Sequence, residues 1–509
     1  MRDRAASRLA AARARLRAHP RWRWMALLVV ASGMMLSVVN VSIVNIALPA
    51  MAADLGVDVP GISWVVTGFL VTQATLLALA GRAGDLYGRR RVFVAGVLVL
   101  CAGSVLCALA PTAPALVAFR IVQAVGACAM APTAYAYAAE LFGPRERAAA
   151  LGVMGGVLGL APVLALNLAG VLVGAFGWRS VFWFSPVMGA VVLAGAALVL
   201  EEARSPGAGR RFDLPGAALA AAGLFAILIA LSRGGAWGWT APPTVAAAAI
   251  GPLALAAFAV HESRAAHPML DLRLLRLRSL QTANLAAMAS SAALFGVLIL
   301  LPFHLTAVMG FGAVALGLAI TPVAASFVLV APLAGRSMGR AGSDRLATAG
   351  FLVSAAGAAG MALAAPAQDY AALLPGLVAF GVGLAASTSA ITTTAIHGVP
   401  AARLGVASAL PNISRYTGGA LGGAVLGAVL HARLTPGLHD AAGRVDAAGR
   451  ALVADGFRAA LAVATASLLL AALAAARMPR LSHEPEGRPA SAPPPPPPAS
   501  ARSPRGRPG

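Results

Sequence analysis

Long apolar runs divided by short polar stretches make up most of this chain. They fall near 24–50, 62–81, 92–110, 114–139, 148–175, 180–200, 215–232, 241–261, 280–304, 312–335, 346–365, 370–396, 404–431 and 457–477. Each is near the length at which a helix crosses a hydrocarbon core of ~30 Å. The pattern predicts an all-α polytopic membrane protein with about fourteen spans. The run 24–50 is far longer than the ~7–15 apolar residues of a secretory signal. It is therefore read as an uncleaved first span, although Ala50-Met51-Ala52 mimics a cleavage site.

Composition strengthens this picture and charge orients it. The 509 residues are 59% hydrophobic and 11% charged, against about 25% charged in soluble domains. A net charge of +21 would by itself suggest nucleic acid. However, no helix-turn-helix or RNA-binding signature accompanies it. All 39 basic residues are arginine, and roughly 31 lie on the side that carries both tails. Two fall inside spans, Arg120 and Arg415. This placement predicts cytoplasmic termini and attraction of anionic lipid to the basic tail and loops. Trp64, Trp178, Trp183, Trp237 and Trp239 fall near the opposite span ends, as an aromatic belt would. Cys101, Cys107 and Cys128 sit within apolar runs and read as small hydrophobes, not as a disulfide or metal site. Abundant Ala, Gly and Arg with no Lys suggests a GC-rich bacterial genome, hence a bacterial plasma membrane.

The sharpest polar stretch is Gly81–Val92, between the second and third runs. Gly81, Gly84 and Gly88 allow tight turning and close helix ends, while Arg82, Arg89, Arg90 and Arg91 crowd around a single acid, Asp85. Leu79-Ala80-Gly81-Arg82 recurs as Leu333-Ala334-Gly335-Arg336 at the corresponding place in the second half. Two six-span halves related by an axis along the membrane normal follow the pattern of secondary carriers. The expected organisation is a basic tail (1–23), a first bundle (24–200) and a linker with two extra spans and a basic amphipathic segment (201–279). A second bundle (280–477) and a proline-rich tail (478–509) complete it. The first tail reads as an amphipathic helix on the membrane or as a disordered segment.

Gly81, Asp85, Gly88, Arg89 and Arg90 match the G-x-x-x-D-x-x-G-R-[RK] loop of the major facilitator superfamily, which the chain resembles, with Leu86 where an Arg is common. Leu116, Arg120, Gln123 and Gly126 resemble its span-four signature. Gly405-Val406-Ala407-Ser408 with Asn412, Arg415, Gly418 and Gly419 resembles span thirteen of the fourteen-span drug:proton antiporters. Asn40–Pro49 resembles their span-one element, with Asn40 where they carry Asp, and Trp178, Arg179 and Phe182 match a further signature. In span five their G-P-x-x-G-G element is reduced to Ala165-Leu166-Asn167-Leu168-Ala169-Gly170. That element is associated with antiport in the family, so its decay weakens the expectation of coupling.

The resemblance implies a carrier with no cofactor that exports a drug, antibiotic or metabolite by alternating access, with proton linkage. Nothing resembles a nucleophile–base pair, nucleotide loop or metal spacing, so an enzyme is not expected. Asn40, Asn45, Arg120, Gln123, Asn412 and Arg415 are expected to face a midplane cavity, and Gly81, Asp85, Gly88, Arg89 and Arg90 to form a cytoplasmic latch. None of the 18 acidic residues lies deep in a run, and an amide at 40 cannot carry a proton. Intramembrane guanidinium without carboxylate predicts neutral or anionic substrates. His304 and His431 are expected at the interface, and Thr388–Thr394 either lines the cavity or bonds its own helix. An uncoupled facilitator and a transport-inactive sensor or scaffold are the competing readings.

Overall fold

The computed structural model describes residues 18–142, 144–202, 213–265, 276–396, 404–431 and 447–479. Its long helices are α1 (Trp22–Leu55), α2 (Val59–Tyr87), α3 (Arg89–Ala108), α4 (Ala113–Cys128), α5 (Met130–Leu141), α6 (Pro144–Phe176) and α7 (Ser180–Val199). Then come α8 (Leu214–Trp237), α9 (Pro242–Arg264), α10 (Arg278–Met309), α11 (Ala313–Ala341), α12 (Ser343–Ala364), α13 (Tyr370–Ile396), α14 (Leu404–His431) and α15 (Ala447–Ala476). Ten candidate spans among the described residues are long and apolar enough to cross a membrane, and α2, α6 and α8 hold shorter apolar segments. The basic amphipathic segment and most of both tails fall largely outside the described residues.

Local chemistry sets the helix boundaries. Asp58 caps α2 by accepting the Gly61 N–H at 2.9 Å, and Thr112 caps α4 by accepting that of Ala115. Pro132 lacks the N–H that would bond the Cys128 carbonyl, and the expected single span 114–139 breaks there, at Ala129, into α4 and α5. Gly88 ends α2 and begins α3 with φ +99°, a conformation open to glycine and costly for other residues. A Cβ at that position would also lie 2.0 Å from Glu202 Oε1.

Packing gives two groups of helices, α1–α7 and α10–α15, with α8 and α9 paired beside them. The groups meet along two main seams, α6 against α11 and α2 against α14, and α8 touches both α2 and α14. Small residues set the closest approaches inside each group. A Cβ on Gly126 of α4 would lie 2.3 Å from Leu100 N of α3, and one on Gly383 of α13 would lie 2.1 Å from Gly350 O of α12. The same device thus holds the corresponding helix pair in each half. Around the outside, large apolar side chains such as Val187, Leu253, Leu363 and Leu473 stand exposed, as a surface facing hydrocarbon requires.

The aromatic belt is only partly as expected. Trp183, Trp237 and Trp239 are exposed, but Trp64 and Trp178 are buried in the packing.

Candidate functional site

Close contact of α3 with α4 carries Ser104 onto Gln123, and from there a polar node spreads through the first half. Gln123 Nε2 donates to Ser104 Oγ and, at 2.8 Å, to Asn40 Oδ1. Ser185 Oγ of α7 donates to the same Asn40 oxygen at 2.8 Å, while Asn40 Nδ2 donates to the Leu36 carbonyl at 2.7 Å. Arg120 completes the node. Its Nε donates to Val65 O at 3.0 Å, its Nη2 to Asn40 O at 3.2 Å and its Nη1 to Gln123 Oε1. The guanidinium lies 4.2 Å from the Phe69 ring centroid, a cation–π contact. No carboxylate is among these partners. Arg120 and Gln123 are 0% exposed and Asn40 1%, so the structure encloses them inside the first half instead of setting them on an open cavity. Hydropathy does not show which side of an all-apolar helix faces its own bundle. Ser104 and Ser185, two partners in the node, carried no sequence signal beyond being polar within apolar runs.

Asn45 is also fully buried, yet neither of its amide atoms has a hydrogen-bond partner. His304, expected at the interface, is 1% exposed and stacks on Phe457 with ring centroids 4.4 Å apart.

Arg415 has a different setting. It is half-buried on α14, and its Nη2 donates to the exposed Thr392 Oγ1 of α13 at 3.4 Å. From the other half, Tyr135 of α5 lies within electrostatic reach of Arg415, and Cys128 and Tyr135 within reach of Tyr416. Asn412, one turn before Arg415 and Tyr416, is likewise half-buried. A guanidinium bonded to a hydroxyl therefore stands here, with a phenol of the other half within electrostatic reach. Such a set can bind oxyanions and stack on aromatic rings. Tyr135 lay outside every sequence signature, but its place three residues after Pro132 was a usable signal. Thr392 lies within the Thr388–Thr394 run, and Thr388 bonds its own helix at Leu384 O.

At the arginine-rich end, Gly81 and Gly88 pack closely, with a Cβ on Gly81 falling 3.4 Å from Pro132. Arg89 Nη1 pairs with Glu140 Oε2 at 2.8 Å and Arg91 Nε with Glu202 Oε2 at 3.5 Å. Arg90 is half-buried beside them. Asp85 belongs to the last turns of α2, and its side chain is not among those described. Of the acids that hold these arginines, Glu140 lies near the end of α5 and Glu202 three residues beyond α7.

Comparison with known proteins agrees with this architecture. Residues 30–423 match the model of the Major Facilitator Superfamily. The chain is 34% identical over 396 residues to the Multidrug resistance protein B homolog of Mycobacterium tuberculosis, covering 77% of this chain and 73% of that protein. It is 32% identical over 458 residues to Puromycin resistance protein pur8 of Streptomyces alboniger, covering 89% and 90%. Its fold is similar to that of a bacterial homolog to the human lysosomal transporter Spinster, solved inward-facing and unoccupied. That match has a TM-score of 0.65 at 16% identity, over 90% of this chain and 98% of that one. This is a multi-pass membrane transporter and not an enzyme. The chain belongs to the Major Facilitator Superfamily.

Proposed function

We propose that this transporter is a fourteen-span exporter of a small organic molecule, a drug, antibiotic or metabolite, in a bacterial plasma membrane. Two six-helix bundles rock about a midplane site, α8 and α9 flank them, and both termini are cytoplasmic. The arginine-rich end is the cytoplasmic one, where the Gly81–Arg91 loop acts as a latch through Asp85 and its arginines and attracts anionic lipid. Asn412 and Arg415, with Tyr135 and Thr392, contact the substrate. Arg120, Asn40 and Gln123 brace the wall of the site, and Asn45, buried with both amide atoms unpartnered, contacts the substrate as the halves part. The names of the relatives, multidrug and puromycin resistance, support export of toxic compounds.

The observation that carries this reading is the half-buried Arg415 guanidinium between the halves, with hydroxyl and phenol neighbours. A cation held about 8 Å from it at an effective dielectric near 20 is disfavoured by ~2 kcal/mol, roughly thirtyfold in affinity. A carboxylate, phosphate or enolate gains a bidentate partner that lysine does not reproduce. Substrates are therefore neutral or anionic. Efflux from proteoliposomes loaded with carboxyfluorescein or ethidium tests this, with native protein beside Arg415→Lys and Arg415→Ala. Loss of dye-anion transport in both variants is expected. Efficient ethidium export that improves in the variants would show Arg415 to be only an obstacle.

Proton linkage of this exporter is weak, because Asn40 is an amide. That same amide favours the uncoupled facilitator as the second reading, and a response to an imposed pH gradient separates the two.

A further inference from the structure

The two seams between the halves are built alike but fastened differently. The separation of 254 residues that relates Leu79 to Leu333 also relates Thr67 of α2 to Thr321 of α11. Each threonine faces the helix of the opposite half across its seam. At 1.5 Å per residue, Thr67, Thr321, Asn167 and Gly423 all lie about 12–14 Å from the arginine-poor ends of their helices. At the first seam a Cβ on Gly423 of α14 would fall 3.2 Å from Thr67 Oγ1, so the threonine packs against the glycine of the facing helix. Thr67 is 2% exposed, and its hydroxyl has no hydrogen-bond partner.

At the second seam, the partner helix presents an amide. Asn167 Nδ2 donates to Thr321 Oγ1 at 2.8 Å and to Val163 O at 2.9 Å. Thr321 in turn donates its proton to Gly317 O at 2.8 Å, which leaves its oxygen free to accept from Asn167. The backbones close on this bond from both sides. A Cβ on Gly170 would lie 2.8 Å from Ala313 O, and one on Gly317 would lie 2.8 Å from Leu166 O. Asn167 is the polar residue that occupies the altered span-five element.

We propose that Asn167 and Thr321 are positioning residues for transport: their hydrogen bond latches the arginine-poor end shut and sets how often the substrate site faces the other side. The proposal rests on the alternating-access reading. It assigns the control of facing to one seam, since the hydroxyl of the equivalent threonine at the other seam, beside Gly423, has no hydrogen-bond partner. A single neutral hydrogen bond of ordinary net strength changes a two-state ratio about fivefold.

Spin-label distances test the latch without a substrate. Labels at Phe176→Cys and Gly312→Cys, both at exposed helix ends, span the second seam in full-length protein with Cys101, Cys107 and Cys128 replaced by alanine. Asn167→Leu and the isosteric Thr321→Val should each move the distribution toward the longer distance by roughly fivefold. Thr321→Ser should keep the parent ratio, and the double variant should match either single one. Two populations that do not respond to any of these variants would overturn the latch and leave alternating access standing. One unchanging distance in every protein, under all conditions, would overturn both.

Discussion

Replacing Asn40 by Asp exchanges one nitrogen for oxygen within the enclosed node, and the contacts there determine the outcome. Asn40 Nδ2 donates to Leu36 O at 2.7 Å, and Oδ1 accepts from Gln123 and Ser185, each at 2.8 Å. A protonated carboxyl reproduces all three contacts, with its O–H replacing the amide donor. An ionised carboxylate loses that donor and sets an oxygen against the Leu36 carbonyl, a penalty of ~1–3 kcal/mol. In exchange it gains the attraction of Arg120, whose Nη2 is bonded 3.2 Å away to the backbone carbonyl of Asn40. At a separation of roughly 5 Å and an effective dielectric near 20, that attraction is ~3 kcal/mol. Burying the charge costs several kcal/mol more, which offsets the ~4 kcal/mol by which a free aspartate prefers to be ionised at pH 7. The two states therefore come close to balance, as a group that takes up and releases a proton in each cycle requires. An amide has only one state. The Asn40→Asp protein should fold as the native one does. In proteoliposomes its carboxyfluorescein transport should gain a dependence on an imposed pH gradient of up to tenfold per pH unit for one proton per cycle. Counterflow without a gradient is the control for a working carrier. If both proteins pass that control and respond equally to the gradient, the reasoning about Asn40 is wrong.

Other perturbations test separate parts of the structure. Gly88→Ala places a side chain at φ +99° and a Cβ 2.0 Å from Glu202 Oε1. It should destabilise by at least ~1–2 kcal/mol, so an unchanged melting temperature in detergent would count against the loop geometry. Gly126→Leu drives a side chain into the backbone of Leu100, 2.3 Å from the position of its Cβ. Little monodisperse protein should be recovered on size exclusion, and a normal yield would contradict the α3–α4 contact. Asp213, the N-cap of α8, is partly buried, which alone would raise its carboxyl, but the Gly216 N–H and His261 more than offset this and hold it below the usual aspartate value. A depressed carboxyl contributes stability fully above about pH 4, and that contribution is lost as pH falls through the lower folded value. Asn also caps helices, so Asp213→Asn isolates the charge. Its melting temperature should lie below the native value at pH 5–7, and the two should converge under more acid conditions.

The fold was legible because its determinants are local. Runs of apolar residues, prolines and glycines at helix ends, and arginines sorted to alternate loops read directly as helices and turns, with Gly88 at a turn and Gly126 where two backbones meet. The facing of side chains was not legible. Arg120 and Arg415 are both lone cations in apolar runs, yet one is sealed among carbonyls and the other stands between the halves. Nothing in the periodicity of a helix that is apolar on every side distinguishes them, and only the contacts of α4 with α3 and of α14 with α13 decide it. Asn167 misleads for a related reason. In sequence it looks like decay of a glycine-rich element because its partner, Thr321, lies in the other half of the chain. A polar residue in an apolar run signals that a partner exists without saying where, and the internal repeat could have supplied the missing information by aligning Thr321 with Thr67.

Electrostatics links the enclosed node to the proposed site around Arg415. Three acceptors satisfy the Arg120 guanidinium, two of them backbone carbonyls and the third Gln123 Oε1. Those bonds solvate the cation but do not cancel its charge, because carbonyl and amide dipoles carry no net charge. Field from an uncancelled charge is weakly screened in a low-dielectric interior. Arg415, which donates to the hydroxyl of Thr392, is likewise solvated and not neutralised by that bond. Both halves thus contribute positive potential to the space between them, one from behind the wall and one at its surface. On the proposed reading, Arg120 favours an anionic substrate without touching it, whereas Arg415 does so by contact. The two contributions are separable. Arg415→Ala should remove affinity and the preference for bidentate oxyanions together. Arg120→Met, measured on whatever folded protein survives the loss of three hydrogen bonds, should weaken carboxyfluorescein binding modestly while leaving neutral compounds unaffected. Equal loss of anionic and neutral substrates in folded Arg120→Met protein would mean that Arg120 acts through packing alone.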